Sequence, residues 1–381
     1  MTTLAWFLQE YIKDAESIPA MNRARPAARA ATKEPMARPR ISVVINNYNG
    51  APWLERCLSS VRAQTIFSEL EIIVADNASP DKSADLAGSL LQDLPNARVQ
   101  RNATDLGYCV SNNLAVDSAR GEYVFLLNND TWLEPDCLER LLKEVQAVGA
   151  TAGAPLVMDY MNDNVQTAGE AGFDIFGFMS HQTDWARTWN VLVAAGCGLL
   201  VKTDRFRELG AFDSQFKFYA EEYDFCWRIW ITGGKVILVP SARMHHRGAA
   251  GVNPAGFHQL SELRTSDTKR FYANRNNLLV LFKNAQNLLL LLAPLQILLL
   301  GAEAVFMGVL TRRWSHIKRA FFDSLRDCWR MRGHILAERR RLRGLRQHGD
   351  LWMLRFLRAR LNRWGELCRF RQFRGLKVDA K

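Results

Sequence analysis

The sequence predicts an α/β protein with a mostly parallel sheet covered by helices on both faces, followed by a C-terminal helical region. Short apolar runs alternate with helical intervals from residue 41 to about residue 150, and regular patterns return after residue 196. Apolar strands separated by helices of this length are typical of parallel sheets buried on both faces. A long apolar stretch and then a basic tail end the chain, which predicts the helical region.

The composition of the 381-residue chain supports a sizeable core. It is 48% hydrophobic and 23% charged, which excludes bulk disorder. Its seven cysteines form no CxxC pair, so we expect neither a disulfide framework nor a zinc knuckle, and a reducing compartment fits best. The N-terminus has no basic region before its short apolar stretch and does not fit a signal peptide.

Composition shifts divide the chain into four predicted parts. Residues 1–39 hold a short amphipathic segment around Leu4–Ile12 and an Ala/Arg/Pro-rich linker. Residues 40–284 form the main domain. Residues 285–311 form a hydrophobic membrane-associated segment, and residues 312–381 form a basic helical tail.

The predicted strands of the main domain end in polar residues. In a sheet of this class, ligands bind beyond the carboxyl ends of the strands, so these residues are the first candidates for a site. The first strands are predicted at 41–46, 70–76, 98–102 and 122–130, with helices at 53–64, 83–94 and 137–149 between and after them.

Two of these strands close with an acid. Asp76 ends the strand at 70–76, and Asp130 ends the strand at 122–130. Either aspartate alone is most simply a turn or helix-capping residue. Two strands of one sheet that both end in an acid indicate a shared site more strongly than either does alone.

A third group of acids begins the helix predicted from residue 221. Complementarity to the helix dipole and an i, i+4 pair with Arg228 account for Asp224. They do not account for the adjacent Glu221 and Glu222. Crowded carboxylates raise one another's pKa, which suits a general base.

Two histidines, His245 and His246, follow the strand predicted at 235–240. A histidine at such a position is structural as often as it is a ligand, and both interpretations remain open from the residues alone.

Taken together and in this order, the residues resemble glycosyltransferase family 2, the inverting enzymes with the GT-A fold. They are most similar to the rhamnosyltransferase-like branch that acts on bacterial surface polysaccharides. The resemblance covers roughly 41–284. Its motifs are ISVVINNYNG, VADNASPD, DLGYCVSNNLAVDSARGEYVFLLNNDTWLEP, AAGCGLLVKTDRFRELGAFDSQFKFYAEEYDFCWRIW, VPSARMHHRG and FYANRNNLLVLFKN.

The resemblance implies a site for a nucleotide-diphosphate sugar and a divalent metal, Mg²⁺ or Mn²⁺. It implies that Asp130 and His246 hold the metal, with His245 as second choice. It implies that Glu222 is the catalytic base, with Glu221 as the alternative. The residues implied to line the donor site are Asn47, Tyr48, Asp76, Asn128 and Asn129.

The chain departs from the family pattern at three places. The metal motif reads Asn128-Asn129-Asp130 instead of Asp-x-Asp, so one carboxylate must act with help from diphosphate oxygens. The base motif reads Glu221-Glu222 instead of Glu-Asp, which places Glu222 at the aspartate position. Asp105 stands where many relatives have Asn.

The implied function is transfer of rhamnose or a hexose, from dTDP-rhamnose or a UDP-sugar, to a glycan or lipid-linked acceptor. This belongs to surface polysaccharide biosynthesis in the cell envelope. The first alternative is a catalytically inactive scaffold at the membrane that binds a nucleotide sugar or polysaccharide. The second is nucleic-acid binding by the tail, although its interleaved Arg, Leu, Trp and Phe suit an anionic membrane surface at least as well. We expect no nucleic-acid partner.

The positive charge of the chain lies in its tail. Residues 311–381 hold 21 Lys and Arg against 6 Asp and Glu, a surplus that exceeds the net charge of +11 of the whole chain. Such a basic segment stays on the cytoplasmic side of a membrane. We therefore expect a cytoplasmic protein, peripheral or monotopic on the inner face of the cell membrane.

The apolar stretch from Leu288 to Leu310 is long enough to span a bilayer once. Pro294 and Gly301 are expected to interrupt it, and Glu303 costs about 2.5–3.5 kcal/mol at the bilayer centre. Because the domain before it and the tail after it belong on one side, we expect the segment to dip into the membrane or lie on it. A buried helical hairpin packed on the main domain is the alternative.

Overall fold

The computed structural model describes residues 38–248, 263–359, 361 and 376–379. Nearly all of the predicted N-terminal extension and linker, and much of the end of the tail, lie outside the described residues. The strands are β1 Ile41–Asn47, β2 Leu70–Asp76, β3 Ala97–Arg101, β4 Tyr123–Asn128, β5 Thr131–Leu133, β6 Ala152–Asp159, β7 Val165–Thr167, β8 Glu170–Phe173, β9 Met179–His181, β10 Trp189–Asn190, β11 Gly198–Lys202, β12 Val236–His246, β13 Leu263–Ser266 and β14 Leu376–Asp379.

The helices alternate with the strands up to residue 147 and dominate after residue 266. They are α1 Leu54–Arg62, α2 Ser83–Leu91, α3 Gly107–Asp117, α4 Cys137–Ala147, α5 Thr203–Glu208, α6 Glu221–Ile231, α7 Asp267–Asn284, α8 Leu292–Thr311, α9 Trp314–Ile317, α10 Ser324–Arg330, α11 Arg332–Leu345 and α12 Asp350–Met353. A π-helix at Lys318–Asp323 joins α9 to α10, and 3₁₀ turns lie at Phe67–Glu69, Ser214–Phe216, Leu289–Leu291 and Leu354–Phe356.

One half of the main sheet is parallel. Its strand order is β4-β1-β2-β3, with every neighbouring pair parallel. In this register Asn46 lies beside Asn128, and Asn47 lies beside Asp76. The carboxyl ends of β1, β2 and β4 therefore meet at one edge, as the sequence predicts.

The other half of the sheet is mixed. From β4 the order continues β11-β6-β12-β10, with β11 antiparallel to both neighbours and β6 parallel to β12. The predicted α/β class is confirmed, and the sheet as a whole is mixed. The mixing arises at β11, which follows the segment 150–197 where the strand–helix alternation of the sequence fades.

Helices cover both faces of the sheet, which explains why its strands read as continuous apolar runs. Along β1, Val43 and Ile45 belong to a core that contains α1, α2 and α4, whereas Val44 belongs to a core that contains α3, α6 and α7. Successive side chains of a strand point to opposite faces, so each face of the sheet has its own core.

A short pairing at the edge of the sheet brings two distant segments together. The three residues of β5 pair with the last three of β12, with Thr131 opposite His246 and Trp132 opposite His245. A register shift in β12 between Val239 and Arg243 precedes this pairing. The chain around Asp130 therefore lies beside the end of β12, more than 100 residues later in the sequence.

The described residues from 267 to 356 are mostly helical. Helix α7 is buried from Asn274 to Asn284 with few interruptions and packs against α6. Helix α8 then runs unbroken through Gly301, contrary to the expected interruption. Pro294 lies in its first turn, where a missing backbone N–H is tolerated. Gly301 is a site of close packing, because a Cβ there would lie 3.2 Å from the ring of Phe321.

Candidate functional site

The carboxyl ends of β1 and β2 are joined by a buried hydrogen-bond network. Asn47 Nδ2 donates to Asp76 Oδ1 at 2.6 Å and to Ser83 Oγ at 2.8 Å. Asp76 also accepts from the backbone N–H and the hydroxyl of Ser79. Asn47 and Asp76 are both at most 3% exposed, whereas Tyr48 beside them is 49% exposed. The network fixes the shape of this edge and leaves the Tyr48 ring accessible.

The same network reaches the end of β4. Asn129 Nδ2 donates to Asn47 Oδ1 at 2.8 Å. Gly50 lies against this amide pair so closely that a Cβ there would overlap both side chains. Asn128 holds the turn through its carbonyl, which accepts from the Thr131 hydroxyl. Four of the five expected donor-site residues therefore lie within one connected edge, with exposed Tyr48 beside them.

Asp130 and His246 face each other, as the β5–β12 pairing requires. Asp130 Oδ1 lies 3.3 Å from His246 Nε2. On its other side, His246 Nδ1 lies 2.8 Å from Gln166 Oε1, while Gln166 Nε2 donates to the His246 carbonyl. This second contact orients the Gln166 amide with its oxygen towards Nδ1, so Nδ1 carries a proton, and Nε2 is directed at Asp130.

The Asp130–His246 pair is suited to hold positive charge. Burial acts to lower the pKa of His246, but Cys197 and Asp130 outweigh it and hold that pKa well above its ordinary value. Because a histidine binds a metal through an unprotonated nitrogen, an ion held here would have to displace the proton from Nε2. Two neighbouring ligands of an octahedral ion with bonds of about 2.1 Å lie about 3 Å apart, close to the separation seen here. A carboxylate and a histidine whose other nitrogen is hydrogen-bonded also fit a metal site. Within the described ranges, no group of three or more His, Cys, Asp or Glu is placed to hold a metal.

His245 is not brought to this pair. Its ring stacks on Trp132 with centroids 3.6 Å apart, and its Nδ1 lies 2.9 Å from the Asp159 carbonyl. Its Nε2 lies 3.5 Å from Glu134. Neighbouring residues of a strand point to opposite faces, so His245 and His246 cannot both turn towards Asp130. The contacts of His245 are those of a packed, structural histidine.

Glu221 and Glu222 begin α6 and lie deep in the fold. Glu221 is 8% exposed. Burial raises the pKa of Glu221 well above its ordinary value, and the charge and hydrogen bond of Glu222 raise it further. Burial also raises the pKa of Glu222, while its hydrogen bond with Glu221 acts in the opposite direction. When the two carboxyls hold one proton between them, that proton therefore resides mainly on Glu221, and Glu222 carries the negative charge.

A loop before β11 connects the two halves of the site. The Glu222 carboxyl packs against Gly196, where a Cβ would lie 3.4 Å from Glu222 Cδ. Tyr108 donates its hydroxyl proton to the Gly196 carbonyl at 2.9 Å. The next residue, Cys197, contacts His246. The glutamates, the Asp130–His246 pair and the β1 edge thus border one region of the molecule.

The backbone just before α6 has an unusual conformation. Lys217, Tyr219 and Ala220 have φ values of 61°, 70° and 63°, in the left-handed region that non-glycine residues avoid. Asn276 of α7 holds this loop, since its Nδ2 donates to the carbonyls of Phe216, Phe218 and Tyr219 at 2.7–3.0 Å. Strain of this kind persists only where surrounding contacts maintain it.

The acid one turn into α6 has a structural role, as expected. Asp224 pairs with Arg228 at 2.8 Å and contacts the fully buried Lys283, with Asn284 donating to its other oxygen. Lys283 also pairs with Asp213. This buried ion cluster joins α6 to α7 and leaves Asp224 no role as a base.

Sequence reasoning missed Gln166, Gly196 and Asn276. Gln166 and Gly196 lie in the segment where the regular pattern fades, and Asn276 lies in FYANRNNLLVLFKN, a motif to which no role was assigned. Their contacts join residues at least 26 positions apart along the chain, so no local pattern identifies them.

Comparison with known proteins gives a family match for part of the main domain. Residues 42–210 match the family model described as glycosyl transferase family 2. The chain is 33% identical over 106 residues to a chondroitin synthase of Pasteurella multocida (strain Pm70), covering 28% of this chain and 11% of that protein. It is 26% identical over 235 residues to the O-antigen biosynthesis protein RfbC of Myxococcus xanthus, covering 56% and 18%. The chain thus spans less than a fifth of the length of either relative.

Two solved structures match parts of this chain at low sequence identity. The Staphylococcus aureus protein TarS, residues 1–349 in complex with UDP, is 12% identical with a TM-score of 0.49, covering 80% of this chain and 90% of that one. The structure of GalNAc-T7 with UDP, GalNAc and Mn²⁺ is 21% identical with a TM-score of 0.48, covering 54% and 42%.

Proposed function

We propose that this chain, whose residues 42–210 form a family 2 glycosyltransferase domain, is a metal-dependent inverting glycosyltransferase of polysaccharide biosynthesis. Its donor is a nucleotide-diphosphate sugar, either dTDP-rhamnose or a UDP-hexose, and its acceptor is a glycan or a lipid-linked glycan. It works on the cytoplasmic side of the cell membrane, at an anionic surface. The observation that carries the proposal is that the β1 edge, the Asp130–His246 pair and the two glutamates border one region.

The donor occupies the strand edge. Tyr48 is exposed for contact with the nucleoside, and Asn47 and Asp76 hold the edge in shape from below. Asp130 and His246 would hold a divalent ion, Mg²⁺ or Mn²⁺, with diphosphate oxygens completing its ligands. The ion would stabilise the negative charge that develops on the leaving diphosphate.

The acceptor hydroxyl loses its proton to Glu222. Glu221 donates a hydrogen bond to Glu222 and retains its own proton, so Glu222 is the carboxylate available as a base. The raised pKa of Glu222 makes it a stronger base than an ordinary glutamate. Attack from the acceptor side, opposite the diphosphate, yields a product with inverted anomeric configuration.

The base assignment is tested with two matched substitutions. Glu222→Gln is expected to lower transfer by about 10²–10⁴-fold with nucleotide binding unchanged, because only the proton acceptor is lost. Glu221→Gln keeps a hydrogen-bond donor beside Glu222 and is expected to stay within about tenfold of the wild type. The measurement is sugar transfer from each candidate donor, with nucleotide binding followed by calorimetry. Loss of sugar transfer in Glu221→Gln alone would assign the base to Glu221. Full transfer activity in both variants would overturn the proposed mechanism.

The metal site is tested by binding. Asp130→Ala is expected to remove the part of UDP or dTDP affinity that depends on Mn²⁺ and disappears in EDTA. Equal affinity with Mn²⁺ and with EDTA in the wild type would contradict metal dependence. Donor hydrolysis in the same samples separates an enzyme from an inactive binding protein.

A further inference from the structure

Helix α8 presents an apolar stripe to solvent. At 100° per residue, five large apolar side chains of α8 and that of Leu291 just before it fall within roughly 60° of one line along the helix. Glu303 lies roughly 120° from that line and so is off the stripe. The exposed fractions of the six range from 41% to 71%. We call Leu291, Leu295, Leu298, Val305, Phe306 and Val309 the apolar stripe.

The opposite side of α8 is covered by the protein. Leu300, Ala304 and Gly308 are buried there. The chain turns back at Arg312, and the following helices run antiparallel along α8, with Ile317 against Gly308 and Phe321 against Gly301. Soluble proteins rarely expose a contiguous apolar patch as long as this stripe. The stripe is therefore expected to contact a partner.

This packing does not allow α8 to cross a bilayer, although Leu289–Thr311 is long and apolar enough, with a mean hydropathy of 2.1. The returning helices carry exposed Lys318, Arg319 and Arg326 alongside it. Asn274 of α7 also donates to the Ala320 carbonyl, which ties these helices to the domain. A spanning α8 would carry these charges into hydrocarbon. Helix α8 therefore fits the plane of the membrane interface.

A basic cavity lies at the start of the stripe. It has a volume of about 660 Å³, and Leu288 and Leu351 are among its apolar lining residues. Its cationic lining includes Arg339, Arg343 and Arg346. Of the described residues that line it, one is a carboxylate, Asp350, whose oxygens accept from the backbone N–H groups of Gln286 and Leu289. Arg339 and Arg346 each donate in part to backbone carbonyls, which holds both guanidinium groups beside Arg343. A cavity with this excess of positive charge suits a phosphate group.

We propose that the cavity and the apolar stripe form one site for an anionic phospholipid at a bilayer surface. The lipid phosphate lies among Arg339, Arg343 and Arg346, and the stripe lies between the headgroups and the acyl chains. Apolar side chains beside clustered cations are the pattern of interfacial lipid binding. The inference deepens the proposed membrane location but needs neither donor nor acceptor, so its test is independent of the catalytic proposal.

The test is flotation of the full-length protein with vesicles of phosphatidylcholine, with and without phosphatidylglycerol. The wild type is expected to bind both and to prefer the anionic vesicles. Arg343→Gln is expected to lower affinity for phosphatidylglycerol vesicles about fivefold and to leave phosphatidylcholine binding unchanged. Leu298→Glu is expected to lower binding to both kinds by about a hundredfold or more. Both side chains are exposed, so thermal melting of each variant should match the wild type.

Lys143→Gln, at an exposed position of α4, is the matched control and should bind like the wild type. An equal loss of affinity for phosphatidylglycerol vesicles in Lys143→Gln and Arg343→Gln would overturn the cavity as the lipid site. The net charge of the protein would then explain its preference for anionic vesicles. Unchanged vesicle binding by Leu298→Glu would show that the apolar stripe does not contact the membrane. A third outcome would also overturn the proposal. If inorganic phosphate stabilises the wild type but not Arg343→Gln, and the wild type does not bind vesicles, the cavity is a site for a soluble phosphate compound.

Discussion

The two adjacent glutamates at the start of α6 sit where burial opposes their charge. The raised pKa of Glu221 means that the folded state keeps a proton that the unfolded chain releases at neutral pH. Folded stability due to this residue therefore falls as pH rises from the ordinary glutamate pKa towards the raised one. Each unit of upward shift corresponds to about 1.4 kcal/mol. The site thus lowers the stability of the protein at the pH where it works.

We expect Glu221→Gln to raise the melting temperature at neutral pH and to leave it nearly unchanged near pH 4, where wild-type Glu221 is protonated in both states (ordinary pKa about 4.3). Glutamine keeps the shape of a protonated glutamate but removes the titration. Melting curves across this range provide the measurement. A uniform loss of stability at every pH would show instead that the protonated carboxyl makes a contact that glutamine cannot replace.

Among the secondary-structure elements, α7 does more than cover the sheet. Through Asn276 it holds the left-handed loop that precedes the two glutamates. The adjacent Arg275 contributes, since its guanidinium donates to the Gln215 and Phe216 carbonyls. Helix α7 therefore helps to set the position of the first turn of α6.

Asn276→Ala should destabilise the protein by about 1–3 kcal/mol, because three loop carbonyls lose a buried donor. It should also lower kcat more than it changes KM for the donor, since the base and not the nucleotide edge is displaced. Urea unfolding and steady-state kinetics measure the two effects. Asn277→Ala, on the same helix with its amide directed at the Ala273 carbonyl, is the control. A stability loss with normal kcat would limit Asn276 to a structural role.

At the scale of the whole molecule, the C-terminal helices and the sheet domain form one body. Lys283 is fully buried between Asp213 and Asp224, and His334 of α11 reaches Asp213 at 2.7 Å. Burial acts to raise the pKa of Asp213, but His334 and Lys283 outweigh it and hold that pKa below its ordinary value. The stability that this cluster contributes is present at neutral pH and is lost as pH falls below the usual aspartate range.

Lys283→Met is expected to destabilise the whole protein by about 3–5 kcal/mol, because two buried carboxylates lose their shared partner. The loss should appear as one cooperative transition in urea when α6 and α11 are followed by separate probes. Lys143→Met, at an exposed position, should change stability little. Two separated transitions in Lys283→Met would show that the helical region and the sheet domain unfold independently.

Local sequence patterns determined the parallel half of the sheet and the residues at its edge. The apolar runs of β1, β2 and β4 and the polar residues that follow them are contiguous in the chain, so strand ends and candidate acids can be read directly. The family resemblance then implied that Asp76, Asp130 and Glu222 belong to one site. The Asp224–Arg228 pair could also be predicted, since i, i+4 spacing alone brings the two side chains together.

Only the tertiary structure decided which histidine meets Asp130, which residues orient the site, and which face of α8 is exposed. The β5–β12 register turns His246 towards Asp130 and His245 towards the Trp132 ring, and it depends on a register shift that no local pattern marks. Gln166 and Asn276 act on residues about 60 to 80 positions away. Helix α8 is apolar on all sides, so its exposed stripe follows from where the neighbouring helices pack. Chain composition sets what each segment can form, whereas contacts between distant segments depend on the path of the folded chain.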